Sequence, residues 1–260
     1  MQNTLLVCSK TTRKYLPEYK NVFIVSAAPT KEILNLEGTR DSVVAIGGGA
    51  TIDTAKILSK NPITCYPTTA AGSSSTSHSV CWNGQNKMSI KRMVPREVHV
   101  VEKFVENLPE EVKEYTTYDV ISHCLDSLWS KNKTKKSVEY CNEALSILKR
   151  KHSNTELVIA GNIAGKAIEI CPTTILHSLS YPLTSIYGIP HGKALGYLLP
   201  KVCKFMDFDL SSLCIYPQIE IQNLDTERVS QEAMKYKKIY DIEKTVNAPM
   251  LIDMLNESQS

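Results

Sequence analysis

No stretch of this 260-residue sequence approaches the ~20 consecutive apolar residues that a membrane span needs, so a membrane protein is not expected. Charge of one sign is also missing. The 30 Lys+Arg and 27 Asp+Glu leave a net charge of +3, which argues against a general binder of nucleic acid or of membrane surfaces. Large aromatics are scarce, with 4 Phe and 2 Trp, and no array of them is interleaved with basic residues, so a base-stacking surface is not indicated. The 8 cysteines form no C-x-x-C pair, and a chain of this size does not need covalent staples, which points to a reduced, cytoplasmic compartment. The opening MQNTLLVCSKTTRKY has no basic stretch running into a long apolar core, so a secretory signal is not expected. Internal repeats and low-complexity tracts are absent. What remains is 42% apolar and 22% charged residues, ordinary globular usage over a length that suits one large domain or two small ones.

The first 70 residues alternate like strands and helices. TLLVCS (4–9), NVFIVS (21–26) and SVVAIGGG (42–49) are short, apolar and β-branched. ATIDTAKILSK (50–60) has helical spacing and carries Asp53 in its expected first turn, and PITCYPTTA (62–70) reads as a further strand. Strand, glycine turn, helix, strand is the grammar of a parallel α/β unit. AAGSSSTSHS (70–79) is a small-residue loop, and 80–101 reads as irregular or hairpin structure. Beyond Leu108–Pro109 the spacing turns helical through about 150 and again over 155–170, which places a boundary near residue 107 between an α/β half (1–107) and a helical half (108–260).

Three groups of residues carry chemistry. Gly47, Gly48 and Gly49 lie between a strand and a helix. There they permit a tight turn, close approach of a phosphate, and use of the helix's free N–H groups; a plain strand-to-helix connection explains them equally well. The hydroxyls of YPTTAAGSSSTS form a second candidate phosphate or cofactor loop, against the alternative of a solvated turn. Asp119 and His123 in DVISHCLDS are four apart, so one helix face presents both. In HSLSYPLTSIYGIPHG, His177 and His191 are separated by Pro182, Gly188 and Pro190, which break a continuous helix. One histidine is therefore expected on a helix and the other at the start of the next. Asp, His, His and His together form a mixed N/O set suited to Fe(II) or Zn(II) with a position open for substrate; a solvated Asp–His pair is the plainer alternative.

GGGATIDTAK, PTTAAGSSS, DVISHCLDS and HSLSYPLTSIYGIPHGKALGYLLP, in this order over about residues 1–205, resemble the iron-containing (group III) alcohol dehydrogenases, relatives of glycerol dehydrogenase and dehydroquinate synthase. The resemblance implies a dinucleotide-binding α/β domain, an all-helical metal-binding domain and an active site between them. It also implies metal ligation by Asp119, His123, His177 and His191. Gly47, Gly48, Gly49 and Asp53 fall on the pyrophosphate turn, and Thr68 and Thr69 on the cofactor loop. SYPLT followed by GIPHG looks most like the phosphonoacetaldehyde reductases of that family. In that group Tyr181 stands where many members carry a histidine, and Tyr181 is the candidate proton donor. Ser9 ends the first strand where NAD-preferring members often have Asp, so nothing there repels a 2′-phosphate and either NADH or NADPH is accommodated.

Departures are specific. The serine loop reads Ser73–Ser74–Ser75 where the family usually has Gly-Ser-Glu, and Pro172 stands where the phosphonate group has Lys. The chain is shorter than typical members before the glycine turn, between that turn and PTT, and after 205. The expected chemistry is reduction of a small aldehyde, anionic if it is the phosphonate, or the reverse, with hydride passing from NAD(P)H. Lys87, Lys91, Arg92 and His78 are candidate partners for an anionic substrate, and a solvated basic face is the alternative. Expected partners are that small molecule and a second copy of the chain, with neither nucleic acid nor membrane. The competing readings are a glycerol-phosphate-type dehydrogenase, a synthase-type lyase with a different ligand set, and a trimmed, non-catalytic binding or scaffold protein.

Overall fold

The computed structural model describes residues 4–257. In chain order the elements are β1 (Leu5–Ser9), α1 (Lys10–Arg13), β2 (Val22–Val25), β3 (Val43–Gly47), α2 (Gly49–Leu58), β4 (Thr64–Pro67), β5 (His78–Asn83), β6 (Asn86–Lys91), β7 (Glu97–Val98) and α3 (Glu102–Val105). There follow α4 (Glu110–Trp129), α5 (Lys135–Leu148), α6 (Asn154–Ile170), α7 (Ile175–Tyr187), α8 (His191–Phe205), α9 (Thr226–Met234) and α10 (Ala248–Asn256).

The apolar runs of the first half build a parallel sheet of order β2-β1-β3-β4-β7, in register as Leu6 with Val22, Leu5 with Val43, Val44 with Thr64 and Thr64 with Glu97. Alternate residues serve opposite faces. Leu5, Val7, Val43 and Ala45 pack under Ile52, Ala55 and Leu58 of α2, while Leu6, Cys8 and Ile46 face Leu16, Tyr19 and Phe104. The strand order reverses direction between β1 and β3, so the crevice outside their carboxyl ends is the ligand position such sheets provide.

The stretch expected to be irregular or a hairpin is an antiparallel hairpin, β5 with β6 from His78 opposite Lys91 to Asn83 opposite Asn86, and it begins two residues inside the expected loop. α2 begins at Gly49, one residue earlier than its sequence pattern implies, which moves Asp53 out of the first turn. The helical half has a core of its own, built on Val120, Ile121, Leu125, Leu157, Leu176, Leu179, Leu195 and Leu198, to which α9 and α10 add Val229 and Leu251. Pro182 does not break a helix as expected. It lies inside α7, and the interruption comes from Gly188, left-handed at φ 68°, with Pro190 capping α8. No helix among the described residues is long and apolar enough to cross a membrane, and the cysteines described are all free, seven of them buried.

Candidate metal and cofactor site

The middle of α4 is buried on every side, and one face of it carries polar groups. Asp119, His123 and Asp126, at i, i+4 and i+7, point the same way out of a helix whose other faces bury Val120, Ile121, Cys124 and Leu125. α7 brings His177 against that face, and α8 begins at His191. The close crossing of α8 over α4 depends on Gly192, where a Cβ would stand 2.5 Å from both Cβ and the carbonyl oxygen of Tyr115.

These elements converge on one oxygen. Asp119 Oδ1 lies 3.4 Å from His123 Nε2, 3.4 Å from His177 Nε2 and 3.7 Å from His191 Nε2. One ligand atom each from Asp119, His177 and His191 lies within 4.8 Å of the others. His123 stands beside them with its ring stacked on His177, centroids 4.7 Å apart and planes 10° apart. All four residues expected as ligands are thus brought together.

The donor set fits a divalent cation. Asp119 Oδ1 and His177 Nε2 are buried and have no hydrogen-bond partner, a costly state for atoms that nothing engages. Donors placed ~2.0–2.2 Å around one tetrahedral ion are themselves about 3.4 Å apart, as here. Burial raises the Asp119 carboxyl to about 7, against the pull of Lys87. Burial likewise holds His123, His177 and His191 well below the usual imidazole range, with neighbouring imidazoles and lysines adding to it. The pocket therefore favours neutral imidazoles, the form in which histidine ligates. The His191 side chain is 35% exposed while those of Asp119, His123 and His177 are at most 10%, so the cluster opens to solvent on the His191 side.

Asp126 lies in the same motif, outside the residues expected as ligands. It is fully buried and accepts from the backbone N–H of Leu176 at 2.9 Å, from that of His177 at 3.2 Å, from Thr174 Oγ1 at 2.9 Å and from His177 Nδ1 at 2.8 Å. That last bond fixes the His177 proton on Nδ1 and turns the Nε2 lone pair toward Asp119. The available signal was its spacing, seven residues beyond Asp119.

Tyr181, expected as proton donor, is buried one helical turn beyond His177, its ring 6.3 Å from that of His191 and nearly parallel to it. Its hydroxyl accepts from Lys238 Nζ at 2.7 Å, and Lys87 Nζ lies 3.9 Å from its ring centroid. Burial pushes the phenol up, but the two lysines outweigh it and bring it down to about 7. Lys238 was not foreseen. It follows 57 residues behind Tyr181 and also donates to Thr173 Oγ1 at 2.6 Å, beside Pro172. Of the cations named from sequence, only Lys87 reaches the cluster. Arg92 is spent on Glu37 and on the carbonyls of Lys56 and Ser59, at 3.1 and 2.8 Å, and so braces the fold. Lys91 is exposed opposite His78, and His78 stands 4.0 Å from Glu169.

The expected cofactor residues lie at or beyond the carboxyl ends of β1, β3 and β4. Gly47 ends β3, and Gly48 precedes α2 without a side chain to cap it, so the helix's first N–H groups are left available. Thr68 N–H donates to the Gly47 carbonyl at 3.0 Å, and Thr69 sits against Gly48. Ser9 caps α1 through Thr12, and Thr12 in turn bonds the Ile46 carbonyl at 2.9 Å. Asp53 lies deeper, in the second turn of α2, 3.4 Å from the buried Lys56 ammonium. Burial raises the Asp53 carboxyl and lowers the Lys56 amine, each opposed by its partner. Lys56 also donates to the carbonyls of Ser73, Thr76 and His78, so it pins the serine loop to α2. Ser74 and Ser75 carry that loop onto Asn162 of α6, and Ser77 N–H donates to Glu169 at 2.8 Å. At Gly165 of the same helix a Cβ would stand 2.5 Å from the Gly72 carbonyl oxygen.

Residues 113–253 match the family model described as Fe-containing alcohol dehydrogenase family, C-terminal, which is more than half of the chain. The chain belongs to this family. Among curated relatives it is 24% identical over 202 residues to the lactaldehyde reductase of Escherichia coli K12, covering 64% of this chain and 53% of that protein, so it spans about half that relative's length. Over 98% of this chain and 79% of the relative it is 22% identical to a glycerol-1-phosphate dehydrogenase [NAD(P)+] of Methanococcus maripaludis. The fold matches that of the sulfoacetaldehyde reductase of Bifidobacterium kashiwanohense in complex with NAD+, with TM-score 0.81 and 21% identity over 97% of this chain and 90% of the other. These likenesses establish the fold, an α/β half joined to a helical half, as the motifs implied.

Proposed function

We propose that this chain reduces a small aldehyde to its alcohol, or runs the reverse, with NAD(P)H and a divalent metal, Fe(II) or Zn(II). The observation that carries this reading is the convergence of Asp119, His123, His177 and His191 with two buried ligand atoms left unpaired. When bound, NAD(P)H would supply the hydride that, with one proton, balances reduction of the carbonyl to the alcohol. When bound, the metal supplies Lewis acidity toward the aldehyde oxygen. Asp126 holds His177 in the ligating tautomer. Tyr181, hydrogen-bonded to Lys238, is positioned to hold or pass a proton at its hydroxyl oxygen. On the cofactor side, Gly47, Gly48 and Gly49 with the start of α2 take the pyrophosphate, Thr68, Thr69 and Ser9 flank it, and Asp53 is held behind them by Lys56. In this reading the boundary between the two halves falls near residue 107, and the cytoplasm, suited to unpaired cysteines, is the setting.

Within this class the SYPLT and GIPHG segments favour phosphonoacetaldehyde, giving 2-hydroxyethylphosphonate, as the substrate. A glycerol-phosphate-type dehydrogenase is the second reading, supported by the relative of that name that aligns over nearly the whole chain. The test is to load the purified protein with Fe(II) under anaerobic conditions or with Zn(II), measure its metal content, and follow NAD(P)H oxidation across an aldehyde panel and NAD(P)+ reduction with glycerol 1-phosphate. About one metal per chain with turnover is expected. A folded protein that takes up neither metal nor NAD(P)H overturns the reading in favour of a trimmed scaffold.

A further inference from the structure

Two ammonium groups at the open side of the cluster lack a carboxylate. Lys87, on the β5–β6 hairpin, stands 3.9 Å from the Tyr181 ring centroid, and Lys238 stands 4.6 Å from it. Neither forms an ion pair among the described residues. Both are half-buried. Two cations at a partly desolvated wall that share a single phenol oxygen have charge and donors left over for a ligand's oxyanion. Lys87 exerts its field on Asp119 and Asp53 without contacting either.

Lys238 is not on a loose tail. The segment that follows it is tied to the end of α4: Ser130 bridges Ile242, Lys131 N–H donates to the Asp241 carbonyl at 2.7 Å, and Glu243 N–H donates to that of Trp129 at 3.2 Å. Tyr236 packs edge-on against Tyr181, centroids 4.9 Å apart. The other lysine comes from the opposite half of the chain, where β6 lies against α7. The two ammonium groups are thus delivered by independent, braced elements to one aromatic ring, which itself lies 6.3 Å from the His191 ring.

We propose that Lys87 and Lys238 together bind the oxyanion of a short acidic aldehyde (a phosphonate, sulfonate or carboxylate) and so set the substrate preference of this site. This rests on the reading of the site as an aldehyde reductase. Lysine ammonium groups act here as point charges with several donors each, so a dianionic phosphonate gains more than a sulfonate or carboxylate, and a neutral aldehyde gains nothing.

The test compares kcat/KM of the metal-loaded enzyme for phosphonoacetaldehyde, sulfoacetaldehyde, succinic semialdehyde and propanal. The same panel is run on Lys87→Met, Lys238→Met and Lys238→Arg, each checked for an unchanged melting profile. In parallel, calorimetry measures binding of ethylphosphonate, ethanesulfonate and propanol to each protein. The expected result is a charged-over-neutral preference that falls about 10- to 100-fold in each Met variant, the scale of a lost charge-assisted contact. Lys238→Arg should restore most of it, and ethylphosphonate binding should weaken in parallel. The proposal is overturned if the preference stays within about threefold in both Met variants, or if ethylphosphonate binds the variants as well as the parent; a fall shared by all substrates in Lys238→Met reads its bond to Tyr181 and leaves the preference ratio as the deciding quantity. Turnover without charge preference leaves the reductase reading standing and removes the clamp. Ethylphosphonate binding that depends on both lysines, in a metal-loaded protein that reduces no aldehyde, does the opposite.

Discussion

Asp126 shows how much one side chain outside the ligand set decides. It receives two backbone N–H groups, one hydroxyl and the His177 Nδ1–H in a fully buried position, and it thereby ties the start of α7 to the last turn of α4 while orienting the His177 ring. Replacement by Asn keeps the shape but removes the charge and one acceptor, so His177 loses the partner that fixes its tautomer. Asp126→Asn is expected to weaken metal binding by about 10- to 100-fold, the usual cost of an outer-shell partner. Titration of the metal-free variant with Zn(II) checks this. An unchanged affinity would remove Asp126 from the site's machinery. Tyr181 and Lys238 illustrate the complementary case, in which a tyrosine visible in a motif acquires its character from a lysine that belongs to no motif.

At the scale of elements, the site depends on how closely helices cross. His191 reaches Asp119 because α8 starts against Tyr115, at a contact that leaves room for no side chain on Gly192. Gly192→Ala forces α8 away from α4. The expected cost is about 1–3 kcal/mol of stability, as for other overpacked contacts, together with weaker metal binding because His191 moves with its helix. A denaturant melt and a metal titration on the same sample read the two effects, and a destabilised variant with parent-like metal affinity would show that the crossing does not position His191. The serine loop obeys the same logic at α6, where Gly165 admits the Gly72 carbonyl and Asn162 takes up two serines.

For the whole molecule, Asp119, His123, His177 and His191 come from three helices, so a cation bound among them would fasten the helical half. A metal that binds the folded chain alone stabilises it by mass action, by about 2.7 kcal/mol at a hundredfold excess over Kd. For a chain of this size that corresponds to a melting temperature higher by about 5–10 °C. The metal-free protein should show this rise with Fe(II) or Zn(II) and lose it on chelation, as read by calorimetry. Absence of any shift would argue against a bound ion at these residues. The hydrogen bonds from Ser74, Ser75 and Ser77 to α6 tie the α/β half to this helical half.

What the sequence determined by itself is local and periodic. Alternating apolar runs and a triple glycine specified a parallel sheet entering a helix, because strand, turn and helix each leave a pattern within a few residues. Asp119 and His123 were legible as a pair because four residues is one helical turn, and the breaks at Gly188 and Pro190 put His191 at a helix start. Pro182 misled because packing from neighbouring helices tolerates a proline within α7 that an isolated helix would not. Only the tertiary structure decided which charges serve the site. Arg92 and Lys87 look alike five residues apart, but one folds back onto carbonyls of α2 and the next residue while the other is carried over Tyr181. Lys238 arrives from a distant segment, and Asp126 finds His177 on another helix. Contacts between residues so far apart in the chain leave no period in it, and they exist only once the helices have packed.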